Sequence, residues 1–254
     1  MSNQKKEGNK MELENIDFLP DVPQDVSEKN IDVPEYDEVS DLNHNIEVRT
    51  DILGEDIAIV TGEPFENTER LDFNQGDNSY GAGGCCGLVS SSNFLNLCGL
   101  ETTEEEIVGY AMENGLCANS PFMPSESIGG TRDPEIEAVI ESYGIPVTAY
   151  GTDSGGSIED IANAIDEGKA VTIGVNAGYL WNEASFVDGG QANHQITVTG
   201  AVRNVDGEVI GLVICDSGRG LESDACRVVS KEEMELCYEK VSGASAIITD
   251  YSVR

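Results

Sequence analysis

The chain has 254 residues, with 48 Asp and Glu against 14 Lys and Arg and a formal net charge of -34 at pH 7. That excess disfavours nucleic acid and anionic membrane surfaces as partners, because both need clustered positive charge. No stretch reaches the roughly 18 consecutive apolar residues of a membrane span, and the opening MSNQKKEGNKMELENIDFLP lacks the apolar core and cleavage site of a signal peptide. The expected location is cytoplasmic, or outside the cell by a route that uses no standard signal peptide. The seven cysteines are an odd count without regular spacing, which reads as reduced thiols rather than a disulfide framework. No CxxC pair occurs, so a structural zinc site has little support, and no cofactor is expected.

Residues 1–65 differ from the rest. The first 70 residues hold 19 acidic and six basic side chains, and Pro20, Pro23 and Pro34 interrupt any regular element. This is the composition of an acidic, disordered N-terminal segment, with a domain over 66–254. A strand over Ile57–Val60 begins the folded part. The stretch from Gln75 to Gly99, QGDNSYGAGGCCGLVSSSNFLNLCG, passes through a glycine loop and two cysteines into a helix starting near Leu88. Thr102 or Thr103 then caps an acidic-start helix that ends at Gly115. Ala118 to Arg132 reads as a long loop, followed by a helix from Asp133-Pro134 and a strand over Ile145–Tyr150.

Ser157 opens the next helix, and Ala170–Val175 reads as a buried strand. Tyr179, Leu180 and Trp181 are expected in a loop, which with Ala118–Arg132 would wall a substrate groove. His194–Gly200 alternates as a strand, and Asp206-Gly207 turns it into a second strand ending at Cys215-Asp216. Ser230 caps an amphipathic helix over Lys231–Tyr238, and Ala246–Thr249 is the last strand. Helices first and mostly antiparallel strands afterwards indicate an α+β fold.

A thiol at the first turn of a helix is drawn toward thiolate by the unpaired N–H groups there. Attack on a carbonyl further needs a base, a group that orients the base, and donors for the oxyanion. Only two histidines exist, and His44 lies in the acidic segment, which leaves His194 as the base. The Asp206-Gly207 hairpin makes the His194 and Asp216 strands antiparallel neighbours. His194 begins one and Asp216 ends the other, so both lie at one edge of the sheet and Asp216 can hold the imidazole. The nucleophile's own N–H supplies one oxyanion donor. Gln75 is the expected side-chain donor, with Asn78 behind it. On these grounds either Cys85 or Cys86 can be the nucleophile.

The segment Cys86-Gly87-Leu88-Val89-Ser90-Ser91-Ser92-Asn93-Phe94-Leu95 resembles the nucleophile helix of papain-like cysteine peptidases, and is most similar to the bacterial branch of double-glycine leader peptidases. His194–Gly200 is similar to that branch's His strand, and Ile214-Cys215-Asp216-Ser217 to its Asp strand, where Pro often replaces Ser217. Ser157–Val175 also resembles the stretch ahead of the family's His. The likeness spans about Leu71 to Asp250. It implies a papain-like fold, a cysteine peptidase acting on a peptide or protein, and Cys86 as nucleophile, since the family places Gly directly after that residue. Two features depart from the family. Cys85 precedes Cys86, and Gln75 lies 11 residues upstream of Cys86, farther than usual. Other readings stay open: a catalytically silent domain that binds a peptide or protein, and a delivered effector using the same triad for deamidation or acyl transfer.

Overall fold

The computed structural model describes residues 46–62 and 70–253. The acidic segment up to residue 45, His44 included, lies outside the described residues. The chain forms β1 (Glu47–Arg49), β2 (Ala58–Gly62), α1 (Cys86–Leu97), α2 (Glu104–Asn114), α3 (Asp133–Glu141), β3 (Val147–Gly151), α4 (Ile158–Asp166), β4 (Val171–Val175), α5 (Ala177–Trp181), β5 (His194–Arg203), β6 (Val209–Cys215), β7 (Arg227–Ser230), α6 (Lys231–Met234) and β8 (Ser245–Thr249). The fold is α+β, with every strand pairing antiparallel in one eight-stranded sheet.

The ten-residue β5 organises that sheet. Its first half pairs with β4, Val175 facing His194, and its second half pairs with β2, Gly62 facing Gly200. Its other edge takes β6, with Thr197 opposite Cys215. Within residues 1–65, read from composition as disordered, 46–62 therefore contribute two strands. Ala58 and Val60 are fully buried against Val202 and Val213, a burial that the surrounding acidic residues hide in the sequence.

Side chains alternate across the sheet as the pleat requires. Thr197 and Gln195 meet α1: Thr197 Oγ1 donates to the Ser90 carbonyl at 3.4 Å, and Ser90 Oγ donates to the Gln195 carbonyl at 3.0 Å. Val171, Ile173, Ile196 and Val198 belong instead to the core under α4. That helix carries Ile158, Ile161, Ala162 and Ile165 at steps of three and four, and a capping box of Ser157 and Asp160 starts it.

α1 is different, because every residue after Cys86 in it is buried. Ser90, Ser91, Ser92 and Asn93 are small enough to admit the sheet and the loops closely, and each has a partner. Ser91 Oγ returns to the Gly87 carbonyl at 2.7 Å, and Asn93 exchanges hydrogen bonds with the Asp72 backbone at 2.7 and 2.8 Å. Leu88, Leu95, Phe94, Ile107, Ile136 and Ile140 fill the space between α1, α2 and α3. The result is a rigid post whose N-terminal end meets the start of β5.

Three local outcomes differ from the sequence reading. Residues 177–181 form the short helix α5, started by Asn176 Oδ1 accepting from the Tyr179 N–H at 3.1 Å, a single turn too brief to show apolar periodicity. The strand β7 was not expected, since it has four residues between loop and helix. The helix after Ser230 continues as a π-helical turn over Glu235–Glu239, which buries Cys237 and Tyr238.

Candidate active site

Cys86 is the first residue of α1, partly exposed, and lines a cleft of about 400 Å³ together with His194. Burial by itself raises its thiol pKa. The hydrogen bond and charge of His194 outweigh that, aided by the N–H groups of Gln195 and Gly87, and hold the thiol below its ordinary range. The absent side chain of Gly87 has a specific use. A Cβ there would collide with Thr131 Oγ1 and come within 3.0 Å of Ile136 Cδ1, so only glycine lets the start of α1 sit against the start of α3.

His194 opens β5 and is 7 % exposed, and Asp216, just past β6, is fully buried. His194 Nε2 lies 2.7 Å from Asp216 Oδ1. An ionised carboxylate only accepts, so Nε2 carries the proton and Nδ1 is left for the thiol. The carboxylate also accepts from Trp181 Nε1 at 2.7 Å and from the Gly218 N–H at 2.9 Å. Burial raises the Asp216 pKa, but these donors, His194 foremost, bring it well below the usual carboxylate value. Burial likewise opposes protonation of His194, yet Asp216 and then Cys86 raise its pKa well above that of free imidazole. The arrangement favours a thiolate–imidazolium pair backed by a buried carboxylate.

Cys85, the neighbouring thiol, is fully buried and faces the other way. Its Sγ donates to the Ala82 carbonyl at 2.9 Å and to Glu104 Oε1 at 3.2 Å. Burial first and Glu104 second push its pKa far above the ordinary range, so it stays a thiol. Gln75 reaches the same corner as Asp216. Its N–H donates to the Ser217 carbonyl at 3.0 Å, and its Oε1 accepts from Ser217 Oγ at 3.2 Å. Its Nε2 donates to the Gly83 carbonyl at 2.9 Å. An amide nitrogen has two protons, so one remains for another acceptor. Asn78 instead turns back into its own loop, bonding Ala82 and Glu104.

Of the two segments expected to wall the groove, Ala118–Arg132 reaches the cleft through Gly130, Thr131 and Arg132. The other, α5, serves Asp216: Trp181 stacks beside His194 with ring centres 5.2 Å apart and closes over the carboxylate. Sequence reading missed that role. The available signal was a lone tryptophan 13 residues ahead of the base. Among the described residues no group of three or more His, Cys, Asp and Glu is placed to hold a metal ion, and no helix is long and apolar enough to cross a membrane.

No curated protein matches the chain. The profile of the Peptidase_C39 like family matches residues 67–246, a span that holds Gln75, Cys86, His194 and Asp216. With an antiparallel α+β fold and a cysteine helix set against the head of its central strand, the chain belongs to the Peptidase_C39 like family, of the papain-like cysteine peptidase kind.

Proposed function

We propose that this protein is a cysteine peptidase in which Cys86 is the nucleophile, His194 the base and then the acid, and Asp216 the orienting group. The observation that carries the reading is the Cys86 thiol against His194, whose far nitrogen is bonded at 2.7 Å to a fully buried Asp216. The Cys86 thiolate adds to the scissile carbonyl, forming the S–C bond while the C=O pair moves onto oxygen. The Cys86 N–H and the second Gln75 amide proton serve that oxyanion. The tetrahedral adduct collapses as the imidazolium at Nδ1 gives its proton to the leaving amine. Water, deprotonated by the same nitrogen, then releases the acid and restores the thiolate.

The finer reading is a preference for small residues before the scissile bond, as in the double-glycine leader peptidase branch. Its support is the lining of the cleft: Gly84, Gly87, Gly174, Ala192 and Gly243 leave room for backbone but little for side chains. The test is brief iodoacetamide treatment at about pH 6, with peptide mapping, followed by a peptide library. Rapid single labelling at Cys86 that is lost in His194→Ala, with cleavage after Gly or Ala that is lost in Cys86→Ala, is expected. Uniformly slow labelling would sink the reading in favour of a silent peptide-binding domain.

A further inference from the structure

We propose that Glu104 is a positioning residue, which clamps the stretch between Gln75 and Cys86 so that the two oxyanion donors converge. The proposal rests on the assignment of Cys86 and Gln75 above. Eleven residues can extend over roughly 36 Å, whereas two donors must meet within about 3 Å of one oxygen. The slack has to be folded away and held.

A single carboxylate oxygen takes both ends of that stretch. Glu104 Oε1 accepts from the Gly76 N–H at 2.7 Å and from Asn78 Nδ2 at 2.6 Å, next to Gln75, and from Cys85 Sγ at 3.2 Å, next to Cys86. Asn78 carries the tie across the middle. Its Oδ1 accepts from the Ala82 N–H at 3.0 Å and its Nδ2 donates to the Ala82 carbonyl at 2.9 Å. Gln75 itself is moored on the other side to Ser217, the residue after Asp216.

Glu104 is 4 % exposed and is the first residue of α2, whose start is fixed by Thr103. A buried carboxylate is costly unless its donors compensate it. Here all three donors to Oε1 come from the Gln75–Cys86 stretch. The geometry therefore explains the long Gln-to-Cys spacing as an excursion tied down at its base. Cys85, the rival thiol, becomes the pin at its far end.

The test uses the full chain. Backbone amide exchange at Gly76 and Ala82 should speed up at least tenfold in Glu104→Ala and stay near wild type in Glu104→Gln, whose carbonyl still accepts. Hydrolysis of acetyl-Leu-Gly-Gly-aminomethylcoumarin should lose about tenfold or more in kcat in Glu104→Ala, with KM within about twofold, against about 100-fold or more for Gln75→Ala. In the Gln75→Ala background, Glu104→Ala should cost less than about twofold, because it acts through the missing amide. Unchanged exchange, or equal kcat losses with and without Gln75, would overturn the proposal. If Glu104→Ala fails to fold, Asn78→Ala carries the same measurements. Alkylation of Cys86 at pH 6 should be unaffected in each of these variants. Its absence in the wild type would instead mark failure of the nucleophile assignment.

Discussion

Replacing Asp216 by Asn separates the charge of this residue from its shape. The Asn carbonyl still accepts from His194 Nε2, now 2.7 Å from Oδ1, so the ring keeps its orientation. What disappears is a buried negative charge. Two unit charges about 4 Å apart interact by roughly 4 kcal/mol at an effective dielectric constant of 20, and an opposite charge at that range shifts a pKa by about 1–3 units. The His194 pKa, raised chiefly by Asp216, should therefore drop by roughly 2 units in Asp216→Asn. The imidazolium that holds the Cys86 thiolate is then weaker, and the Cys86 pKa, now lowered, should rise toward the ordinary thiol value. Iodoacetamide alkylation of Cys86, measured from pH 4 to 10, reads this without a substrate. Its acid limb should move to higher pH and the rate at pH 6 should fall by about 10- to 100-fold. Asp216→Ala should be worse in stability as well, because it strips the acceptor from Trp181, Gly218 and His194 together, at about 1–3 kcal/mol per orphaned donor. An acid limb that stays in place in Asp216→Asn would refute the electrostatic account. Equal stability of the Asn and Ala variants would refute the account of the carboxylate as a three-donor acceptor.

Trp181→Phe keeps an aromatic beside His194 but removes the 2.7 Å bond to Asp216 Oδ2. It should cost about 1.5–3 kcal/mol in denaturant unfolding, with alkylation slowed less than in Asp216→Asn. Gly87→Ala forces a Cβ against Thr131 and Ile136 and should destabilise by about 1–3 kcal/mol, lowering activity with it as the start of α1 shifts. Acid unfolding should also show Asp216. Its pKa falls from 3.8 to about 2 on folding, so the unfolded chain binds the proton first. The stabilisation is whole above about pH 4 and is lost as pH falls through about 2, on the order of 2 kcal/mol. Asp216→Asn should flatten that part of the stability profile.

The sequence by itself determined much of this protein, because local signals there agree with the final structure. Gly115 and Gly144 end their helices, Ser157 and Ser230 cap theirs, and Asp206-Gly207 makes the hairpin that brings His194 and Asp216 to one edge. Those are short-range effects of backbone conformation and capping, and they suffice to gather a cysteine, a histidine and an aspartate. Other features depend on contacts between residues far apart, and only the tertiary structure decided them. Ala58 and Val60 become strand because Val202 and Val213 cover them, and Trp181 finds its acceptor 35 residues away. Cys85 and Cys86 are indistinguishable by chemistry and adjacent in sequence. One is turned under α2 against Glu104 and the other toward His194, because consecutive residues at a helix start point in different directions. The choice of nucleophile is thus a matter of which neighbour each thiol meets, which the fold alone sets.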